Sequence, residues 1–181
     1  NAEVVKYMLD NVIGKPNVQT LIGNHECHLF REVDGLEPVS DEFKLFTKKQ
    51  FGVHGISHKD IRKLLSGIRD VFFYTYEGKK VMASHGGLPK IPKKPWMIPS
   101  HQYETGVGFY EQDVDTMFSH LSEENQFQVH GHRNNSKLPI INQKSINLEG
   151  SVEKGGHLRV VKLNENGWKA EEYKNDIVRP W

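Results

Sequence analysis

A helical pattern followed directly by a short apolar segment is the feature that most limits how this chain can fold. Apolar side chains recur at helical spacing over residues 2–13, so we expect an amphipathic helix there. Gly14 and Pro16 then interrupt the pattern, and residues 18–22 predict a β-strand. A helix that leads into a strand in this way is typical of an α/β sheet.

The same criteria predict the other elements of the chain. We expect helices over 41–50, 58–69 and 111–121, hairpin strands over 71–76 and 79–84, a short strand over 127–130, and tail strands over 145–148, 157–163 and 168–173. Residues 88–110 carry several prolines and no clear period, which predicts a long functional loop. The alternation of helices and strands places the chain in the α/β class.

Length and charge narrow the functional classes. With 181 residues the chain is expected to form a single domain, residues 1–181. Its 24 Lys and Arg against 23 Asp and Glu exclude a strong overall attraction to nucleic acid or to a membrane. One cysteine excludes an intrachain disulfide and favours a reducing, cytoplasmic location. No apolar run reaches the roughly 20 residues that a spanning helix needs.

Three predicted strands end in clusters of polar side chains. Gly23-Asn24-His25-Glu26 follows the first strand, His85-Gly86-Gly87 follows the hairpin, and Gly131-His132 follows residues 127–130. Chemistry in open α/β sheets lies at the carboxyl ends of the strands, so these side chains are expected to converge if the strands are neighbours. An amide oxygen and two imidazoles form a partial shell for a divalent metal such as Mn, Fe or Zn. His25 is then well placed to protonate a leaving oxygen.

In this order the motifs Gly-Asn-His-Glu, His-Gly-Gly-Leu and Val-His-Gly-His resemble those of the calcineurin-like metallophosphoesterase superfamily. The first two are similar to the serine/threonine protein phosphatase branch, and residues 146–158 resemble the tail of bacterial and phage members. Those members include the phosphatase module of polynucleotide kinase-phosphatases. The resemblance implies a fold of two mixed β-sheets packed as a sandwich flanked by helices.

The resemblance also implies roles for individual residues. It makes Asn24, His85 and His132 metal ligands and His25 the general acid, with Glu26 orienting His25. His130 is expected near the site and only weakly as a ligand. The family centre holds two divalent ions, which implies manganese here, or iron, zinc or nickel.

Two departures from the family pattern modify these expectations. The family's Asp-x-His and Gly-Asp-x-x-Asp-Arg-Gly motifs would lie before residue 1, so the domain is expected to be N-terminally incomplete, lacking one or more strands. The chain alone is then expected to hold at most one metal ion weakly and to turn over little or no substrate. Residues 86–129 contain no arginine. Lys90 or Arg133 would have to replace the phosphate-binding arginine of the family. A lysine cannot bind phosphate through two parallel hydrogen bonds as an arginine does.

The sequence thus predicts a metal-dependent phosphoesterase that hydrolyses phosphomonoesters with a metal-activated water. A serine/threonine phosphoprotein is the first expected substrate, and a polynucleotide end or a nucleotide is the alternative. An alternative of another class is a non-catalytic binding module that retains the fold. At the level of single motifs, residues 24–26 could instead form a turn that caps the next helix, and His85 a turn residue bonded to backbone.

Overall fold

The computed structural model describes residues 2–133, 140–142 and 144–176, and it shows a mixed α/β chain. The chain divides into two compact units, of which the first covers residues up to Arg69 and the second begins at Asp70. The prediction of a single domain over residues 1–181 remains a prediction. In the described residues, no helix is both long and apolar enough to cross a membrane.

Unit 1 consists of short helices and one small sheet. Its elements in chain order are α1 (Ala2–Asn11), β1 (Thr20–Leu21), α2 (Cys27–Val33), a π-helical turn (Phe43–Thr47), α3 (Lys48–Val53), α4 (His58–Ser66) and β2 (Ile68–Arg69). β1 and β2 pair in parallel, with Thr20 opposite Ile68. Buried apolar side chains from all of the helices form its core: Ala2, Leu29, Val33, Phe43, Phe51, Ile61 and Leu64.

The predicted elements of unit 1 are present with shifted bounds. The first helix ends at Asn11, and the predicted strand over residues 18–22 is reduced to Thr20–Leu21. The prediction of a helix to residue 69 is wrong at its end, because α4 stops at Ser66 and the next residues form β2. α4 begins with a capping box, in which the Ser57 hydroxyl accepts from the Asp60 amide and the Asp60 carboxylate accepts from the Ser57 amide.

Unit 2 is built on a five-stranded sheet. Its strands are β3 (Val71–Tyr76), β4 (Lys79–Ser84), β5 (Gln126–His130), β6 (Ile141–Asn142) and β7 (Ser145–Asn147), in the spatial order β3-β4-β5-β7-β6. β4, β5 and β7 run parallel to one another at its centre, and the outer pairings are antiparallel. β8 (His157–Asn164) and β9 (Gly167–Lys174) form a separate antiparallel hairpin.

Two helices of unit 2 follow the hairpin of β3 and β4. α5 (Ser100–Thr105) lies inside the segment for which a long loop was expected, after a 3-10 turn at Pro95–Met97. The prediction of a long functional loop over residues 88–110 is therefore wrong in its middle, where α5 forms. α6 (Val114–Leu121) begins after Asp113, whose carboxylate accepts from the Thr116 amide at 3.0 Å. Met82, Leu88, Tyr103 and Phe118 form a buried apolar cluster beside the sheet.

Candidate functional site

The first polar motif forms a tight turn between β1 and α2 in unit 1. The Glu26 carboxylate accepts a hydrogen bond from the Gly23 amide at 2.6 Å, and the Glu26 amide donates to the Gly23 carbonyl at 3.2 Å. Both contacts close the turn, so one role of Glu26 is to hold the backbone on either side of Asn24. The predicted role of Glu26 in orienting His25 remains a prediction.

His25 is exposed on this turn and borders a cavity of about 270 Å³ in unit 1. Apolar side chains of α1 and α2 form much of the wall, and the polar members next to His25 are Glu26 and His28. The His28 ring lies 5.4 Å from that of Phe43 and 6.1 Å from that of His25, centre to centre. Burial, and then the nearby His25, lower the pKa of His28, which therefore favours its neutral form. A polar motif at a strand end thus adjoins an apolar cavity.

In unit 2 the second and third motifs lie side by side. β4 and β5 are parallel neighbours, with Ala83 opposite Val129, so both strands end at the same edge of the sheet. The Gly131 amide donates to the His85 carbonyl at 2.9 Å beyond the last paired residues. As a result the rings of His85 and His132 lie 5.0 Å apart. The expectation that these two side chains converge at a carboxyl edge is confirmed for this pair.

His132 occupies a backbone conformation that few side chains adopt. Its φ is +66°, in the left-handed region, although it is not glycine. The Arg133 amide donates to the Gly131 carbonyl at 2.8 Å and fixes the bend around it. Residues held in this region persist where their surroundings determine them, and they are concentrated at functional sites. The bend turns the chain immediately after β5 and sets His132 beside His85.

A fully buried carboxylate lies beneath this edge. Asp115 of α6 is 0% exposed and accepts three hydrogen bonds from the sheet. The donors are the His130 Nε2 at 2.9 Å, the Ser145 hydroxyl at 2.5 Å and the Asn147 amide at 3.1 Å. Burial alone raises the pKa of Asp115, but the hydrogen bonds and the charge of His130 outweigh burial and lower that pKa below its usual range. Asp115 therefore remains ionised and ties α6 to β5 and β7.

His130 has both ring nitrogens occupied. Its Nε2 faces Asp115, and its Nδ1 lies 3.0 Å from the Gly131 carbonyl. Both ring nitrogens therefore face partners within unit 2. The near-site position expected for His130 fits this arrangement, in which its role is to brace the chain next to His132.

Arg133 is also buried, at 0% exposure. Its Nη1 donates to the Val107 carbonyl at 2.8 Å, and its Nη2 donates to the Phe109 carbonyl. The guanidinium thus holds the loop that follows α5. Arg133 therefore has a structural role in this loop, and the phosphate contact predicted for it remains a prediction.

The glycines of the His85-Gly86-Gly87 motif are needed for close packing. A Cβ on Gly86 would lie 2.0 Å from the Gly106 amide nitrogen, and one on Gly87 would lie 2.8 Å from the His130 ring. Gly87 also has a φ of +68°, which glycine adopts without strain. The motif therefore brings the end of α5 and the His130 ring against the chain that carries His85.

Lys90, the other predicted phosphate contact, is exposed beyond this motif. Within the described residues, no group of three or more His, Cys, Asp or Glu side chains is arranged to hold a metal ion. The predicted roles of His85 and His132 as metal ligands therefore remain predictions. The predicted roles of Asn24 as a ligand and His25 as the general acid remain predictions.

The buried network was not anticipated from the sequence. Asp115 lies in the first turn of α6, where an exposed acidic residue commonly stabilises the helix dipole. Its position in the sequence therefore gives no indication that it is buried. A usable signal did exist in β5, where Gln128 and His130 alternate with Val129 and thus share one face of the strand. Gln128 is fully buried and donates to the Ser145 hydroxyl at 3.0 Å, which extends the same network. Polar residues on one face of a central strand indicate a buried hydrogen-bonded layer.

The chain was also compared with known proteins. No protein-family model matches it, and no curated protein matches it in sequence.

Proposed function

We propose that this chain belongs to a metal-dependent phosphoesterase that hydrolyses phosphomonoesters, with His85 and His132 as metal ligands. The observation that carries the proposal is the 5.0 Å approach of the two imidazole rings at the carboxyl ends of adjacent parallel strands. The left-handed backbone at His132 and the buried network beneath it support the proposal, because both set this pair at a defined spacing. On this proposal the mixed α/β fold is of the calcineurin-like type.

The donor chemistry suits manganese, iron, zinc or nickel. Imidazole is a good ligand for these borderline divalent ions, and two rings leave further coordination positions for other donors and a water. Such an ion, when bound, lowers the pKa of a coordinated water towards about 7 and polarises the phosphoryl oxygens. The chain's own contribution here is orientation of the backbone, because the Gly131 amide bonds the His85 carbonyl and Asp115 holds His130, which lies two residues before His132.

The proposal is tested first by metal affinity. We expect His85→Ala and His132→Ala each to weaken Mn²⁺ binding by at least about tenfold, since removing even an indirect partner of a metal site costs that much. His120→Ala is the matched control, because His120 is an exposed histidine of unit 2 on α6. Isothermal titration of the four proteins with Mn²⁺ gives the comparison. Equal affinities for all four would contradict the metal site.

The reaction is tested by phosphate release. For the full-length protein we expect Mn²⁺-dependent release from a phosphomonoester, reduced by His85→Ala and unaffected by His120→Ala. A phosphoserine peptide and an oligonucleotide with a terminal 3′-phosphate separate the two expected substrate classes. If Mn²⁺ binds at the pair and no phosphomonoester is hydrolysed by the complete protein, the non-catalytic binding module becomes the better account.

A further inference from the structure

An exposed apolar loop adjoins the His85–His132 pair. We call residues 106–112 the aromatic loop. Phe109 is 79% exposed, Tyr110 is 51% exposed, and Val107 is also open to solvent. Large apolar side chains placed together on a surface loop indicate a contact with something outside the protein.

The backbone of the aromatic loop is held rigidly. Arg133, buried under it, donates to the carbonyls of Val107 and Phe109. The Gln112 side-chain oxygen accepts from the Phe109 amide at 3.1 Å. Gly106 and Gly108 both have left-handed φ angles, of +79° and +77°. The buried guanidinium of Arg133 orders the aromatic loop before any ligand binds. Such preorganisation favours binding, because it reduces the conformational entropy that the loop loses in the complex.

The aromatic loop reaches the candidate site through Tyr110. The Tyr110 ring meets the His132 ring edge to face, with centres 5.5 Å apart and planes at 87°. The His132 ring in turn lies 5.0 Å from that of His85. A ligand whose phosphate lies at the two histidines therefore has a half-exposed tyrosine ring within reach of the group next to that phosphate.

We propose that Tyr110 forms a stacking subsite for a flat ring carried by the substrate, and that the substrate is a nucleoside monophosphate. This inference rests on the proposed phosphoesterase function and selects its nucleotide alternative over a serine or threonine phosphopeptide, whose side chain offers no ring. Aromatic side chains bind nucleobases through their faces without regard to base identity.

The geometry at Tyr110 fits a single nucleotide. One half-exposed tyrosine ring stands next to the paired histidines, so it matches a ligand that carries one base close to its phosphate.

The test compares adenosine 5′-monophosphate with ribose 5-phosphate, which differ by the base alone. Binding of each is measured by titration calorimetry in the presence of Mn²⁺. We expect the nucleotide to bind about 5- to 100-fold more tightly, the range given by stacking of one base. Tyr110→Ala should remove this preference, while Tyr110→Phe should keep it. Trp96→Ala is the control, because Trp96 is an exposed aromatic residue on a different segment.

Three results would overturn the inference. They are equal binding of the two ligands by the unchanged protein, a base preference that survives Tyr110→Ala, and tighter binding of a 5′-phosphorylated ten-nucleotide strand than of the mononucleotide. The proposed function is tested separately by Mn²⁺ affinity, and it fails if His85→Ala and His132→Ala bind Mn²⁺ as tightly as the unchanged protein. If the protein binds Mn²⁺ at His85 and His132 but shows no base preference, the proposed function stands and the stacking subsite at Tyr110 is refuted.

Discussion

Units 1 and 2 differ in how completely they bury polar side chains, because those of unit 1, namely His28, Glu32 and Thr47, keep 6–9% exposure. Unit 1 packs apolar residues of short helices, among them Leu29, Phe51 and Leu64. Unit 2 adds to its apolar cluster a fully buried polar layer that includes Asp115, His130 and Arg133. Apolar packing tolerates changes of shape, whereas a buried polar group requires a partner in one direction and at one distance. The comparison indicates that the candidate site in unit 2 is positioned by directional bonds.

The largest expected effect comes from removing the centre of the polar layer. Asp115→Ala should lower the free energy of unfolding of unit 2 by about 3–5 kcal/mol, because it leaves the buried side chains of His130, Ser145 and Asn147 without their shared acceptor. Asp113→Ala, which removes only the cap of the same helix, should cost about 1 kcal/mol. Urea unfolding followed by fluorescence measures both. Equal losses would show that the polar layer contributes no more than a surface cap.

A core truncation in unit 1 should be slightly less costly and should not affect the site. Leu64→Ala removes a side chain that is 2% exposed, and we expect a loss of about 2–5 kcal/mol in unfolding free energy. Its Mn²⁺ affinity should stay unchanged, while Asp115→Ala should weaken Mn²⁺ binding by releasing the chain around His132. Calorimetric titration of both folded variants with Mn²⁺ measures these affinities. If only Leu64→Ala bound Mn²⁺ more weakly, the site would depend on the apolar core of unit 1 and not on the polar layer of unit 2.

Two glycines provide a smaller and well-matched test. Gly35 and Gly87 both have left-handed φ angles, but only Gly87 lies against a side chain, the His130 ring. Both alanine variants incur the backbone cost, so the excess for Gly87→Ala reports the packing under the site. We expect that excess to be about 1–3 kcal/mol in unfolding free energy, as for an overpacked core. Identical midpoints in urea would mean that the His130 ring moves aside freely.

The smallest expected effect is the part of the acid dependence of stability that Asp115 contributes. The folded-state pKa of Asp115 is lowered, so its contribution to stability is present above the unfolded-state value of about 3.9 and declines as the pH falls towards the folded-state value. Asp115→Asn should flatten that part of the curve, measured by urea unfolding between about pH 2 and 6. An unchanged acid slope in the variant would show that Asp115 is not the group responsible.

Local signals in the sequence were sufficient for several elements. The hairpin of β3 and β4 is predicted because Glu77-Gly78 can adopt the left-handed turn that it does adopt, with φ angles of +47° and +76°. The convergence of His85 and His132 follows from the rule that neighbouring parallel strands end at one edge. The hairpin is decided by residues close together in the chain, whereas the approach of the two histidines also requires β4 to pair with the distant β5.

Other elements depend on contacts that the sequence does not display. α2 was missed because it begins at Cys27 without a side-chain cap, after a turn closed by Glu26. α5 was missed because it is short and lies among prolines. The polar layer was missed because the partners of Asp115 are 15 to 32 residues away in the chain. Tertiary structure alone brings them together.

The central claim is that the edge carrying His85 and His132 binds a divalent metal ion. The most direct measurement is the paramagnetic broadening of histidine ring signals by NMR during a Mn²⁺ titration. We predict that the signals of His85 and His132 broaden together and at a lower Mn²⁺ concentration than those of exposed histidines such as His101 and His120. Simultaneous broadening of all histidines, or earlier broadening of the exposed ones, would contradict the claim.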